Sequence, residues 1–257
     1  MSQFAFHIIG AGRSGTSLLA GLIDTHPECV VHFEEFSRNF LVGTASPDAE
    51  TMTDAGGRTA ARLANFIRAC ETRATAFPGR HWGHKTTTEH IWYLGRSLAE
   101  HPKDRDDVCA APGEDINALE TFVESVADIP TLFILRDGRT CVRSKVTRTG
   151  QSYEAAVHRW KYSLRVMNSL KERAANFLIV KFEDLILRPE ETMRIVTSFL
   201  GVNYDAVVLS GTDNPKIQPE YRLKIFDRSK IAFEEGLHQR WIEEMRPELV
   251  TNGYVSG

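Results

Sequence analysis

Long apolar runs are missing from this chain of 257 residues. None approaches the roughly 18–20 apolar residues of a membrane-spanning helix. The N-terminal run, Phe4 to Ile9, has six residues and no basic flank before it, too little for a secretory signal. A cytoplasmic protein without a membrane span is expected. Cysteine is scarce. Cys29, Cys70, Cys109 and Cys141 form no CxxC pair and have no zinc-like spacing, so the expectation is free thiols in a reducing compartment. Asp and His do not cluster at ligand spacing, and no metal is expected. Net charge is also small: 31 Lys and Arg against 34 Asp and Glu leave −3, which excludes a generic nucleic-acid or membrane-surface binder. At 42% hydrophobic and 25% charged residues, with no repeat and no low-complexity tract, the chain is neither disordered, collagenous nor coiled coil.

What the chain does contain is an island of positive charge. Between Ile134 and Gly150 stand Arg136, Arg139, Arg143, Lys145 and Arg148 against the single acid Asp137, a local +4. A basic island in a mildly acidic chain points to a compact anionic ligand rather than a polymer. Around it, strand-like and helix-like segments alternate. Phe4–Ile9, Cys29–Glu34, Thr131–Leu135 and Phe177–Phe182 read as strands. Thr16–Thr25, Arg58–Thr75, Glu89–Glu100, Ile116–Ala127, Glu154–Ala175, Pro189–Leu200 and Gly236–Met245 read as helices. Residues 37–57, the polar stretch His81–Thr88, the segment His101–Asp115 and the segment Asp205–Ser229 read as loop or irregular chain. Strands separated by helices predict an α/β fold in three layers, a mostly parallel central sheet flanked by helices.

The turn after the first strand is Gly10-Ala11-Gly12-Arg13-Ser14-Gly15-Thr16-Ser17, and a helix follows it. Successive backbone N–H groups and a helix N-terminus make such a turn an anion cradle. Its spacing mimics GxxxxGK[ST], but Thr16 stands at the lysine position, and the cation lies three places upstream as Arg13. Without that lysine, metal-assisted nucleoside triphosphate chemistry is not expected. The loop suits a 5′-phosphate bearing a second anionic group. Gly10, Gly12 and Gly15 also match GxGxxG literally, with Glu34 and Glu35 as the only acids near the second strand's end, yet Arg13–Ser17 is more polar than a dinucleotide turn requires.

A second anion site is expected where the strand Thr131–Leu135 ends at Arg136, the carboxyl edge at which open α/β sheets bind ligands. On the helix after it, Thr140, Ser144 and Arg148 recur every four residues and share a face. Arg136, Ser144 and Arg148 are placed to converge on one phosphate, the arginines through forked donors and the serine through its hydroxyl.

The pair Arg13-Ser14-Gly15-Thr16-Ser17 and Arg136-(x7)-Ser144 resembles the two nucleotide motifs of the sulfotransferases, which use 3′-phosphoadenosine 5′-phosphosulfate (PAPS). Asp24-Thr25-His26-Pro27-Glu28, Glu34-Glu35, Arg136-Asp137-Gly138-Arg139 and Phe182-Glu183-Asp184-Leu185 through Gly201 look closest to the tyrosylprotein sulfotransferase branch. The likeness runs from about residue 6 to 201, with a weaker echo at Trp241. It implies a P-loop-like fold and a single domain over 1–257, with acceptor-cleft insertions near 37–80 and 202–235. Arg13, Ser14, Gly15, Thr16 and Ser17 would hold the 5′-phosphosulfate; Arg136, Ser144 and Arg148 would hold the 3′-phosphate.

The resemblance also distributes the chemistry. Arg13 would stabilise the leaving group, Glu34 would be the general base with Glu35 as its rival, and Lys85 would stabilise the transferring sulfonate, although no proline follows the Lys85-Thr86 pair. The histidine base of cytosolic relatives has candidates in His84 and His81. Trp160 is a candidate neighbour of the nucleotide, Phe182 replaces a tyrosine common in the branch, and Ser229 and Lys230 are possible matches to a further serine and lysine. The acceptor would be a hydroxyl on a peptide tyrosine, a glycan, a lipid or a small metabolite. The competing readings are a P-loop-type small-molecule or nucleotide kinase and a non-catalytic nucleotide-binding homologue.

Overall fold

The computed structural model describes residues 4–101, 116–219, 222, 226–232 and 239–256. Its frame is a five-stranded sheet in which every pairing is parallel. The strands are β1 (Phe4–Gly10), β2 (Cys29–Phe33), β3 (His81–Thr87), β4 (Thr131–Leu135) and β5 (Phe177–Lys181), in the order β2-β3-β1-β4-β5. Apolar runs make the central strands β1 and β4. All five residues of β4 are buried, as a strand covered on both faces requires.

Helices cover both faces. On one lie α1 (Thr16–Asp24), α8 (Phe182–Leu187) and α9 (Pro189–Phe199), which bring Leu19, Leu22, Leu185, Met193 and Val196 against Phe6, Ile8, Leu132 and Ile134. On the other lie α3 (Ala55–Ala74), α5 (Ile116–Val126) and α7 (Tyr153–Arg173), whose Leu63, Phe66, Phe122, Val157 and Trp160 pack with Phe4, Ile9 and Phe133. Fully burying one such side chain contributes about 1.5–3 kcal/mol. The remaining helices are α2 (Pro47–Glu50), α4 (Thr88–Trp92), α6 (Gly138–Thr149) and α10 (Gln239–Thr251). The three-layer α/β expectation is met.

Several local expectations are corrected. The polar stretch His81–Thr88 is not a loop: residues 81–87 form β3, hydrogen-bonded to β1 and β2. Some of its polar atoms meet partners inside the protein, the Thr86 hydroxyl lying 2.7 Å from His7 Nε2 and 3.1 Å from His84 Nδ1. Residues 37–57 contain a π-helical turn (Ser37–Leu41), α2 and the start of α3, where the Asp54 side chain caps the Gly57 N–H. The helix expected over Glu89–Glu100 is reduced to α4 and a 3₁₀ turn at Leu98–Glu100. The last helix spans Gln239–Thr251. Most of the segment His101–Asp115 and residues 236–238 lie outside the described residues.

Within the 37–80 region, Arg58 and Arg62 are turned into the protein. Arg58 donates to the carbonyls of Gly95 and Met52, and Arg62 to those of Leu41, Tyr93 and Leu94 while pairing with Glu50. They tie the loops before and after α3 onto it. Cys29, Cys70 and Cys141 are free and buried; Cys109 lies outside the described residues. Among the described residues, no helix is long and apolar enough to cross a membrane and no His, Cys, Asp and Glu group could hold a metal ion.

Candidate active site

Every functional group of the candidate site stands at the carboxyl edge of the sheet. β1 ends at Gly10, and the chain turns through two residues of positive φ, Arg13 (73°) and Gly15 (102°), before α1 begins at Thr16. Gly15 is required twice over: by that conformation, and because a Cβ there would lie 2.4 Å from the Phe182 ring. The turn is held by Ser14, whose N–H and hydroxyl both donate to the Ala11 carbonyl at 3.0 and 2.6 Å. Ser14 is therefore buried inside the loop, and its hydroxyl does not face the cleft. Arg13, Gly15, Thr16 and Ser17 do line it.

Opposite the loop, β4 delivers Arg136, a buried guanidinium. It donates to the Thr140 hydroxyl (2.9 Å), to the carbonyl of Arg13 (2.8 Å) and to the carbonyl of Lys230, and it lies 4.4 Å over the Phe182 ring. From behind, Trp160 Nε1 donates to the Arg136 carbonyl at 3.1 Å, which makes this tryptophan a support for the strand end rather than a lining residue. Helix α6 presents Thr140, Ser144 and Arg148 on one face of the same cleft. Arg13 Nε reaches Ser144 Oγ at 3.4 Å, so the two expected motifs touch.

The cleft between them has a volume of about 310 Å³. Its lining includes Arg13, Arg136, Arg143, Arg148, Arg222 and Lys230, and no carboxylate among the described residues. Six cations in a lining that carries no carboxylate among the described residues fit a multiply charged anion. Ser229 and Lys230, the possible matches to a further serine and lysine, line it together with Arg222 and Thr147. Arg143 belonged to the basic island without a role. Arg222 had no sequence signal, because only the return of the chain across the sheet edge brings it here.

At the other end of the loop lies a lysine–glutamate pair. Lys85, on β3, is 3% exposed; its ammonium donates to Ser17 Oγ at 3.0 Å and pairs with Glu34. Glu34 follows β2 with a positive φ of 55° and also meets Arg38 at 3.4 Å. Burial pushes the Glu34 carboxyl up, but Lys85, His90 and Arg38 together outweigh it and hold the group below the usual carboxylate range. Burial pulls the Lys85 ammonium down, opposed by Glu34. Glu34 is thus a carboxylate beside a cation, one side chain away from the phosphate loop.

The rival bases are placed elsewhere. Glu35 is exposed and lies 3.1 Å from His32. His84 is completely buried on the opposite face of β3, against Phe36, Phe66 and the rings of His7 and His32, and burial holds it neutral. His81 is at the far, amino end of β3. Trp241 stacks on Tyr153, away from the cleft lining.

With this geometry in hand, three comparisons bear on it. A family model described as the sulfotransferase family matches residues 6–206. Protein-tyrosine sulfotransferase A of Caenorhabditis elegans is 36% identical over 222 residues, covering 81% of this chain and 52% of that protein. Protein-tyrosine sulfotransferase 1 of Danio rerio is 26% identical over 208 residues, covering 78% and 54%. This chain thus spans about half the length of these curated relatives. Among solved structures, the sulfotransferase domain of the Synechococcus PCC 7002 olefin synthase superposes with a TM-score of 0.62 at 16% identity, covering 98% of this chain and 95% of that one, a likeness of fold.

Proposed function

Because this chain belongs to the sulfotransferase family, we propose that it moves a sulfuryl group from PAPS to a hydroxyl acceptor, with Glu34 as general base. The observation that carries the reading is the cleft itself. A phosphate loop at one end and Arg136, Ser144 and Arg148 at the other face each other across one space lined by cations, and the Lys85–Glu34 pair stands at the loop's edge. This suits a ligand with two separated anionic groups. The relatives named protein-tyrosine sulfotransferases favour a tyrosine hydroxyl as the first acceptor to assay.

In the proposed step, the acceptor oxygen forms a bond to sulfur as the bond between sulfur and the bridging oxygen of the 5′-phosphate breaks. The phosphate leaves with the electron pair, and the acceptor proton passes to Glu34. Such transfer demands positioning and charge neutralisation more than covalent catalysis. Arg13 and the amides at the start of α1 receive the charge that develops on the leaving phosphate. Lys85 neutralises the sulfonate oxygens. Its contact with Ser17 ties that ammonium to the loop, so the donor and the base are held by one network. Arg136, Ser144 and Arg148 anchor the 3′-phosphate at the far end, where Phe182 backs the guanidinium. No step calls for a metal.

Calorimetric titration with 3′,5′-adenosine bisphosphate tests the reading. Wild type should bind in the micromolar range, and Arg136→Ala should bind at least about a hundredfold more weakly, the loss expected for a buried charge-assisted contact. Binding of ATP with magnesium instead, together with indifference to the bisphosphate, would overturn it in favour of a kinase.

A further inference from the structure

The carboxylate of Glu89 takes no part in the steps above, yet it sits at the root of the phosphate loop, largely buried. It is the second residue of α4, directly after β3, four positions from Lys85. Its two oxygens accept the Gly12 N–H at 2.9 and 3.1 Å, and one of them also pairs with the Lys145 ammonium. Lys145 is buried, on α6, next to Ser144. Gly12 precedes Arg13. One carboxylate thus joins the three elements that carry Lys85, Arg13 and Ser144.

The contact is close enough to dictate the residue opposite it: a Cβ on Gly12 would lie 2.9 Å from Glu89 Oε1. The Gly12 carbonyl is also engaged, accepting a weak bond from Cys141 Sγ at 3.7 Å. The Gly12 amide is consequently unavailable to any ligand. Burial alone would raise the Glu89 carboxyl, but Lys145, Arg159 and the Gly12 amide bring it down to about 2, so the tie stays ionised at any working pH.

We propose that Glu89 is a positioning residue: by accepting the Gly12 N–H and pairing with Lys145, it holds the phosphate loop and α6 at the spacing that lets Arg13 and Ser144 serve the two anionic groups of one ligand. The effect on ligand rests on the reading of the cleft as a nucleotide site; the effect on the loop does not. Glu89 touches no reacting atom and acts through Gly12 and Lys145.

The test uses paired variants, because Glu89→Ala alone strands a buried ammonium. Glu89→Ala/Lys145→Met removes both charges and the acceptor. Glu89→Gln/Lys145→Met removes the charges but keeps an oxygen for the Gly12 N–H. Amide hydrogen exchange across residues 10–17 without ligand is measured first, then affinity for 3′,5′-adenosine bisphosphate, with thermal midpoints as the fold control. In the alanine pair, loop exchange should accelerate and bisphosphate affinity fall, each about tenfold, the scale of one buried hydrogen bond. In the glutamine pair, both should recover to within about threefold of wild type. Exchange and affinity in a folded alanine pair equal to those of wild type would overturn the proposal. So would failure of the glutamine pair to recover either. If wild type itself binds no bisphosphate, the nucleotide reading falls, while the exchange measurement still decides the role of Glu89.

Discussion

The two faces of β3 bury titratable groups equally deeply and leave them in opposite states. On the cleft face, Lys85 meets the Glu34 carboxylate and the Ser17 hydroxyl. On the other face, His84 and its neighbour His7 meet aromatic rings and the Thr86 hydroxyl. Burial penalises the charged form on both faces. On the first, an opposite charge offsets the penalty, and Glu34 is held ionised. On the second, no carboxylate compensates; His7 is pushed down to about 3, and His84 well below its ordinary value. A partner of opposite sign, not depth, separates a chemical face from a structural one.

Breaking the cleft face should have the largest effect. Glu34→Gln should lower kcat for sulfuryl transfer by about a thousandfold, within the range for a general base, while 3′,5′-adenosine bisphosphate affinity stays within about threefold of wild type. A parallel loss of affinity would make Glu34 structural instead. Lys85→Met should follow, at about a hundredfold in kcat. It also removes the strongest influence lowering the Glu34 carboxyl, so the acid limb of the pH–kcat profile should move to higher pH in this variant. A profile that stays in place would uncouple the pair.

The histidine face responds through stability. Histidines in the unfolded chain take up protons below about pH 6.5, while His7 and His84 in the folded protein resist. Their contribution is therefore complete above that pH and is lost as pH falls through it, toward about 3 for His7. Each costs about 1.4 kcal/mol per pH unit within that window. Urea midpoints between pH 7.5 and 5.5 should fall accordingly, and His84→Phe should flatten the dependence; an unchanged slope would remove His84 from the account. The smallest effect belongs to Glu35→Ala. Its exposed contact with His32 contributes less than about 0.5 kcal/mol, and turnover should be unchanged. A large loss of turnover would reverse the assignment of Glu34 over Glu35.

The elements nearest the phosphate loop were legible because their signals are local. Apolar β1, the glycine-rich turn and the periodic apolar positions of α1 lie within one short window, and so do β4, Arg136 and α6. β3 was not legible. Buried strands announce themselves by apolar runs, and this one carries His84, Lys85, Thr86 and Thr87; the partners of Lys85 and Thr86, namely Ser17, Glu34 and His7, lie far away in the chain. Ser14 matched the loop motif by position, but the direction of its hydroxyl depends on the turn closing onto the Ala11 carbonyl. Arg58 and Arg62 fall in a segment that reads as a helix, but the carbonyls that hold them belong to residues before α3 (Leu41 and Met52) and after α4 (Tyr93, Leu94 and Gly95).

By itself the sequence determined the alternation of strands and helices around β1 and β4, the glycine-rich turn after β1 and the cationic turn after β4, since hydrophobic period, glycine placement and charge run act over a few neighbours. Tertiary structure alone decided which acid meets Lys85, that Glu89 closes the root of the loop, and that Arg222, Ser229 and Lys230 return to complete the cleft. Those outcomes depend on parallel strands pairing in the order β2-β3-β1-β4-β5, which sets side by side residues that are far apart along the chain.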